Sequence, residues 1–240
     1  MKKRGTAILL LLVSCLMGAV PALAAGNLAA QEDALHLFVD EYGGTAVFEY
    51  AALVENTGDA EATAGETTLL LLDAAGETLY TAEDWPTLLP QVLAPGEQGI
   101  LLLSGSLPHG FDRDAVVSHR LGIGSGPNDG AYGTMVRLPA EGSIEIEGEE
   151  DMRVAWANVR VFNPTGSLAF EPAFALIFRD GAGKMLGAAG EEYFFGVGIP
   201  KGGKLFLRAP VTWNLDRYFL ENNITPLAAE AIAFIELPME

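Results

Sequence analysis

The run from Val54 to Leu79 returns from Val161 to Leu186, each landmark displaced by 107 positions, and this repeat limits the fold more than any other feature of the chain. The first copy reads Asn56-Thr57-Gly58, then Leu69-Leu70-Leu71-Leu72, then Asp73-Ala74-Ala75-Gly76. The second reads Asn163-Pro164-Thr165-Gly166, then Leu176-Ile177-Phe178, then Asp180-Gly181-Ala182-Gly183. Self-similarity over so long a stretch marks a duplicated module. An apolar run ending in Asp-x-x-Gly is a strand entering a type I turn, with Asp accepting backbone bonds first and Gly free to take positive φ fourth. Asp73 and Asp180 are therefore read as scaffold, against the competing readings of metal ligand or catalytic acid.

Alternation of apolar and polar residues fills in the strands around this pattern. Leu35-x-Leu37-x-Val39 is echoed by Ile144-x-Ile146, behind a loose lead-in expected over residues 25–34. The next strand spans 45–55 and, in the second copy, 152–162. Phe48, Tyr50, Ala52 and Val54 share its core face, matched by Ala155, Ala157, Val159 and Val161. The opposite face carries Val47, Glu49, Ala51 and Leu53 in one copy, and Val154, Trp156, Asn158 and Arg160 in the other. An outward Trp156 beside Asn158 and Arg160 could stack on a sugar or anchor a partner, or it packs under a loop or against the other module. The third strand, 67–72 or 174–178, has its Leu72/Arg179 side expected toward water in the second copy. Turns at Ala94-Pro95-Gly96-Glu97 and Ile199-Pro200-Lys201-Gly202 follow at an offset of 105, as if two residues were deleted. Phe111-Asp112-Arg113 and Leu215-Asp216-Arg217 look like starts of a short helical turn after an Asp cap. Residues 116–123 and 231–237 are expected strands, Ser125–Gly130 a hairpin loop, and 133–138 either the last strand of the first module or a bridge into the second.

Short strands with Gly and Pro turns predict an all-β chain of two tandem immunoglobulin-like antiparallel β-sandwiches, at residues 25–140 and 141–240. Residues 1–24 read as a signal peptide, with basic Lys2, Lys3 and Arg4, an apolar stretch, and Ala22-Leu23-Ala24 for cleavage. Leu12-Val13-Ser14-Cys15 is the alternative, a lipobox that would anchor the chain through Cys15. The address is in either case extracytoplasmic, in a bacterial envelope. The chain has 14 basic and 32 acidic side chains; without the leader the balance is 11 against 32, or −21. Such a field repels nucleic acid and anionic head groups and favours solubility. The only cysteine lies in the leader, so the remainder must be stabilised by packing.

Chemistry is sparse. His36 alternates outward on a strand, His109 sits in a Pro-His-Gly turn and His119 lies beside Arg120, so none completes a nucleophile triad or a zinc site. Gly122-x-Gly124-x-Gly126 is a turn lacking the helix and lysine of a phosphate loop. Glu191-Glu192 could serve a glycosidase only across a cleft. Glu147, Glu149, Glu150 and Asp151 could hold calcium at the joint between modules, or form a solvated linker. No catalytic, cofactor or metal residue is assigned. The Asn-Thr-Gly turn, the apolar strand, the Asp-x-x-Gly turn and the Pro-Gly-Glu turn resemble the FxLYD-type, immunoglobulin-like repeats of secreted Gram-positive bacterial proteins. Leu72 and Arg179 stand where that family has Tyr, and Lys201-Gly202 replaces Gly-Glu. The resemblance implies spacer and binding modules without catalytic residues.

The expected function is a non-enzymatic binder of an envelope protein or glycan. The alternatives are a structural spacer with a calcium-stiffened joint and, more distantly, an envelope glycan hydrolase. One last contrast concerns exposed rows. Arg179 matches Leu72 at the 107 offset and Arg208 matches Leu103 at the 105 offset, both on expected outward faces, with Leu70 and Leu101 beside the leucines. The first module is thus expected to present an oily sheet face as an interface with the second module, with another copy in a homo-oligomer, or with a partner, unless loops tuck these leucines inside.

Overall fold

In the computed structural model, which describes residues 25–39, 44–130, 132–148, 154–191, 197–211 and 213–237, the alternating segments are strands and the chain is all-β apart from short helical pieces. The first half contributes β1 (Leu28–Val39), β2 (Ala46–Asn56), β3 (Ala62–Ala64), β4 (Thr67–Leu72), β5 (Thr78–Asp84), β6 (Thr87–Leu89), β7 (Gln98–Ser106), β8 (Ser118–Gly122) and β9 (Ser125–Pro127). The second contributes β10 (Thr134–Leu138), β11 (Ala140–Glu147), β12 (Val154–Phe162), β13 (Ala169–Phe170), β14 (Ala173–Arg179), β15 (Met185–Glu191), β16 (Gly198–Ile199), β17 (Lys204–Pro210) and β18 (Ala228–Leu237), with helix α1 (Trp213–Glu221) before the last strand. The expected leader with Cys15, and Glu149, Glu150, Asp151 and Glu192, lie outside the described residues.

Pairing is antiparallel throughout. Four sheets build the two halves and the contact between them, each named for a central strand: the β2 sheet (β1-β2-β7-β6), the β4 sheet (β5-β4-β8), the β14 sheet (β10-β18-β14-β15) and the β12 sheet (β11-β12-β17). Phe48, Tyr50, Ala52 and Val54 meet Leu69 and Leu71 between the β2 and β4 sheets. Ala155, Ala157, Val159 and Val161 meet Leu176 and Phe178 between the β12 and β14 sheets, where α1 adds Leu215 and Phe219. A third apolar layer joins the halves: Ala51, Leu53, Leu89 and Ile100 pack against Ala175, Ile177, Ile232 and Phe234. The sheets are therefore stacked in the order β4, β2, β14, β12. The two inner sheets are covered on both faces, and β14 from Ala173 to Phe178 is buried at every position, which is why it reads as an unbroken apolar run.

The repeat has a physical basis in matched hydrogen bonds. Asp73 Oδ1 accepts from Ala75 N and Glu77 N at 2.8 and 2.9 Å, and Asp180 Oδ1 accepts from Ala182 N and Lys184 N at the same distances. Gly76 and Gly183 hold φ of 81° and 83°, where a side chain would be strained. Asn56 and Asn163 are fully buried plugs. Asn56 Nδ2 donates to the carbonyls of Ala60 and Leu93, while Asn163 Nδ2 donates to those of Ser167 and Ile199. Each thus ties loop carbonyls to a strand end through a buried amide.

Several expectations are corrected. Gly96 N donates to Asn56 O and Gly202 N to Asn163 O, so the matching turns stand 106 residues apart, one residue deleted rather than two. A slip of one inverts faces: Leu102, not Leu103, occupies the place of Arg208. Leu101 and Leu103 lie in the core under the β2 sheet, and Leu72 is also buried. The outward aliphatic row is instead Ala51, Leu53, Ile100 and Leu102, and the second half covers it. Likewise the Arg179 side of β14 does not face water: Ala173, Ala175 and Ile177 on it are wholly buried against the first half. The lead-in at 25–34 is mostly strand, because Leu28 to Ala30 pair with Asn56 to Val54 before a register shift. Ser125–Pro127 forms β9 against β3 rather than a hairpin loop, and β10 pairs with β18. Asp112 does cap a 3-10 turn at Arg113–Ala115, but Asp216 lies within the first turn of α1 and accepts from Ala155 N.

Candidate binding surface

The outer face of the β12 sheet has no strand layer over it among the described residues. Strand register sets its side chains in rows across β11, β12 and β17, about 7 Å apart along the strands. One row is Glu145 and Trp156, the next Ser143, Asn158 and Arg208, the next Glu141, Arg160 and Phe206. Trp156 faces outward, as its alternation requires, and is half-buried because Arg208 leans across it with the guanidinium carbon 4.5 Å from the ring centroid. The Arg208 guanidinium also donates to Glu145 at 3.2 Å and to Glu147. Arg160 repeats the arrangement, 5.1 Å from the Phe206 centroid and 3.1 Å from Glu141. Each guanidinium therefore combines a charge-assisted hydrogen bond with a cation–π contact, which fixes long side chains on an open surface.

Leaning has a consequence for shape. With Arg208 drawn toward Trp156, and Asn158 Nδ2 donating to Glu145 at 3.3 Å, the middle row is left to short side chains. A trough of about 280 Å³ opens there, lined by Glu141, Ser143, Asn158, Arg160, Phe206 and Arg208. Phe206 is 65% exposed. The calcium reading of the joint loses one ligand here, since Glu147 is engaged by Arg208.

The histidines lie elsewhere. His36 leaves the first half outward, as expected, yet is buried, because β15 and α1 cover it. Its Nε2 donates to Leu186 O at 2.6 Å, its ring stacks 4.2 Å from Tyr218, and its Nδ1 has no hydrogen-bond partner. Burial, partly offset by the Leu186 bond, pushes its pKa down. Leu186 is the extra residue of a β-bulge opposite Phe178 and Arg179, which frees its carbonyl for His36. Sequence reasoning missed this, although Leu79 and Leu186 keep the repeat spacing: Leu79 is the matching bulge residue in β5.

His119 meets Asp33, 86 positions away, with Nε2 donating to Oδ2 at 3.0 Å, and the Tyr50 hydroxyl donates to the same oxygen at 2.8 Å. Burial above all, then the bond to Asp33 and its charge, pushes the Tyr50 phenol far up, so it remains a neutral donor. His36 and His119 both border a cleft of about 510 Å³ between the halves. His109 is exposed in its turn. Gly122 and Gly126 lie in β8 and β9 rather than in a single turn, and between them Gly124 exchanges backbone bonds with Gly65 and Glu66, where a Cβ would collide with Glu66 O, so Gly124 serves close backbone approach. Among the described residues no group of three or more metal-ligating side chains comes together, and no helix is long and apolar enough to cross a membrane.

No protein-family model matches this chain, and no curated protein matches it significantly.

Proposed function

We propose that the chain is a secreted or surface-associated, non-enzymatic protein that binds a protein or glycan at the bacterial cell envelope through the outer face of the β12 sheet. In this reading residues 1–24 are a signal peptide, and 25–140 and 141–240 are tandem immunoglobulin-like sandwiches similar to FxLYD-type repeats, with β10 of the first reaching into a sheet of the second. The observation that carries it is the preorganised Trp156–Arg208 and Phe206–Arg160 pair on an open sheet. Aromatic and Arg side chains held in place before binding lose little freedom on binding. The asymmetry of the halves supports it as well: the same face of the first half is spent on packing within the chain, while that of the second is charged and open.

Immobilised full-length chain, without its leader, should retain material from envelope fractions, and Trp156→Ala should lose it while melting within a few degrees of the parent. Equal retention by both would sink the reading and leave a spacer.

A further inference from the structure

We infer that the trough beside Phe206 seats one ring of a neutral glycan chain. The inference rests on the binding function proposed above and names the ligand class of the same face.

The chemistry of the lining points to it. Phe206 is largely exposed even with the Arg160 guanidinium over its ring, and the C–H side of a pyranose ring packs against the aromatic surface left open while its hydroxyls turn outward. Those hydroxyls donate and accept, so they need both kinds of partner. The trough supplies Glu141 as acceptor, Arg160 and Arg208 as donors, and Ser143 and Asn158 as both. The carboxylates and guanidiniums are already paired with each other, Arg160 with Glu141 and Arg208 with Glu145 and Glu147. No guanidinium is held ready for a phosphate or carboxylate, and the chain as a whole carries −18. An anionic polymer is therefore disfavoured twice, by the occupied guanidiniums and by the net field. A peptide adding to a sheet would use an edge, whereas the trough lies across the face of three strands. Its volume of about 280 Å³ sits just below the ~300–1,000 Å³ typical of pockets that enclose a drug-sized ligand. That suits one ring of a longer chain, whose neighbouring units would run out over the sheet.

The test titrates the full-length chain, without its leader, with chitohexaose, cellohexaose and mannohexaose by calorimetry, with Phe206→Ala and Ser143→Trp as variants. Phe206→Ala removes the platform; Ser143→Trp fills the trough from an exposed position that no apolar cluster uses. Thermal melts of both variants check folding. The expected result is saturable binding of at least one of these oligosaccharides, weakened at least about tenfold by each variant, with melting temperatures close to the parent's. Binding that neither variant weakens overturns the assignment to this trough. If the parent binds none of the three but still retains envelope material in a Trp156-dependent way, the glycan inference fails and the binding function stands. If it does neither, both fail.

Discussion

The β2 and β12 sheets share a three-stranded core, β1-β2-β7 and β11-β12-β17, with β7 and β17 in matching register on the central strand and the same inner face packed, yet their outer faces have opposite fates. Ala51, Leu53, Ile100 and Leu102 in the first half correspond to Asn158, Arg160, Phe206 and Arg208 in the second. The first row is buried under β14, β15 and β18; the second carries ion pairs and a trough. A repeated scaffold therefore does not decide what its outer face does. A few side chains do, because the inner-face pattern and the turns leave the outer face free to vary. The contact between halves is also heterologous, since a β2-type sheet meets a β14-type sheet. Such an interface can in principle continue from copy to copy, and the charged face of the β12 sheet ends the stack as a polar cap does in a repeat protein.

The largest expected effect breaks this contrast directly. Ile177→Asp sets an unpaired carboxylate into the fully buried layer between the halves and should cost more than about 4 kcal/mol, or prevent folding. Phe206→Asp, on the open face, should cost within about 1 kcal/mol. Urea denaturation of both reads the difference, and equal losses would remove the distinction between the two faces.

Next come the plugs, where the halves should agree. Asn56→Ala and Asn163→Ala each remove two hydrogen bonds from a buried amide to loop carbonyls and should each lose about 2–3 kcal/mol. A loss confined to one of them would show that the matched hydrogen bonds are not matched in energy.

The third concerns pH. The His36 pKa is lowered by burial, so the folded chain binds fewer protons there than the unfolded one. Its contribution is complete above the ordinary value of 6.5 and is lost as the pH falls below it. The slope is at most about 1.4 kcal/mol per pH unit. The ring has Glu49 opposite it on β2, the Leu186 carbonyl on β15 and Tyr218 on α1. Denaturation of the parent at pH 7.5 and 5 should differ by more than that of His36→Gln, and parallel curves would mean that the imidazole does not titrate with folding.

The smallest effect sharpens the comparison. Arg179 occupies the place of Leu72 and reaches Glu32 of the first half at 2.7 Å as well as Glu230 at 3.3 Å. Arg179→Leu should cost about 0.5–1 kcal/mol, less at high salt, because the carboxylates stay wetted. A loss above about 3 kcal/mol would make this pair a main tie between the halves rather than a trim on an apolar contact.

Much of the fold is legible in the sequence, and particular residues show why. Asp73 with Gly76, and Asp180 with Gly183, announce their turns because the bonds they make span four residues. The inner face of β2 and β12 follows from period-two alternation. The 106 offset is not legible, since a deletion within a loop leaves no mark on whether one residue or two were lost, and that single residue exchanges core for surface along β7. Trp156, Arg160 and Arg208 are all legible as outward side chains, but nothing along the chain marks Phe206 as their neighbour, and the slip gives Arg208 the wrong counterpart in the first half.

The sequence by itself determined the duplication, the strands and their turns, and one buried face for each, because those rest on interactions between neighbours along the chain and on the two-residue period of a strand. The tertiary structure alone decided that the oily outer row of the first half is covered by the second, that His36 is buried against Leu186 and Tyr218, and that Asp33 meets His119. Each of these depends on which sheets come face to face, and an outward apolar row or a lone histidine carries no record of what will lie across from it.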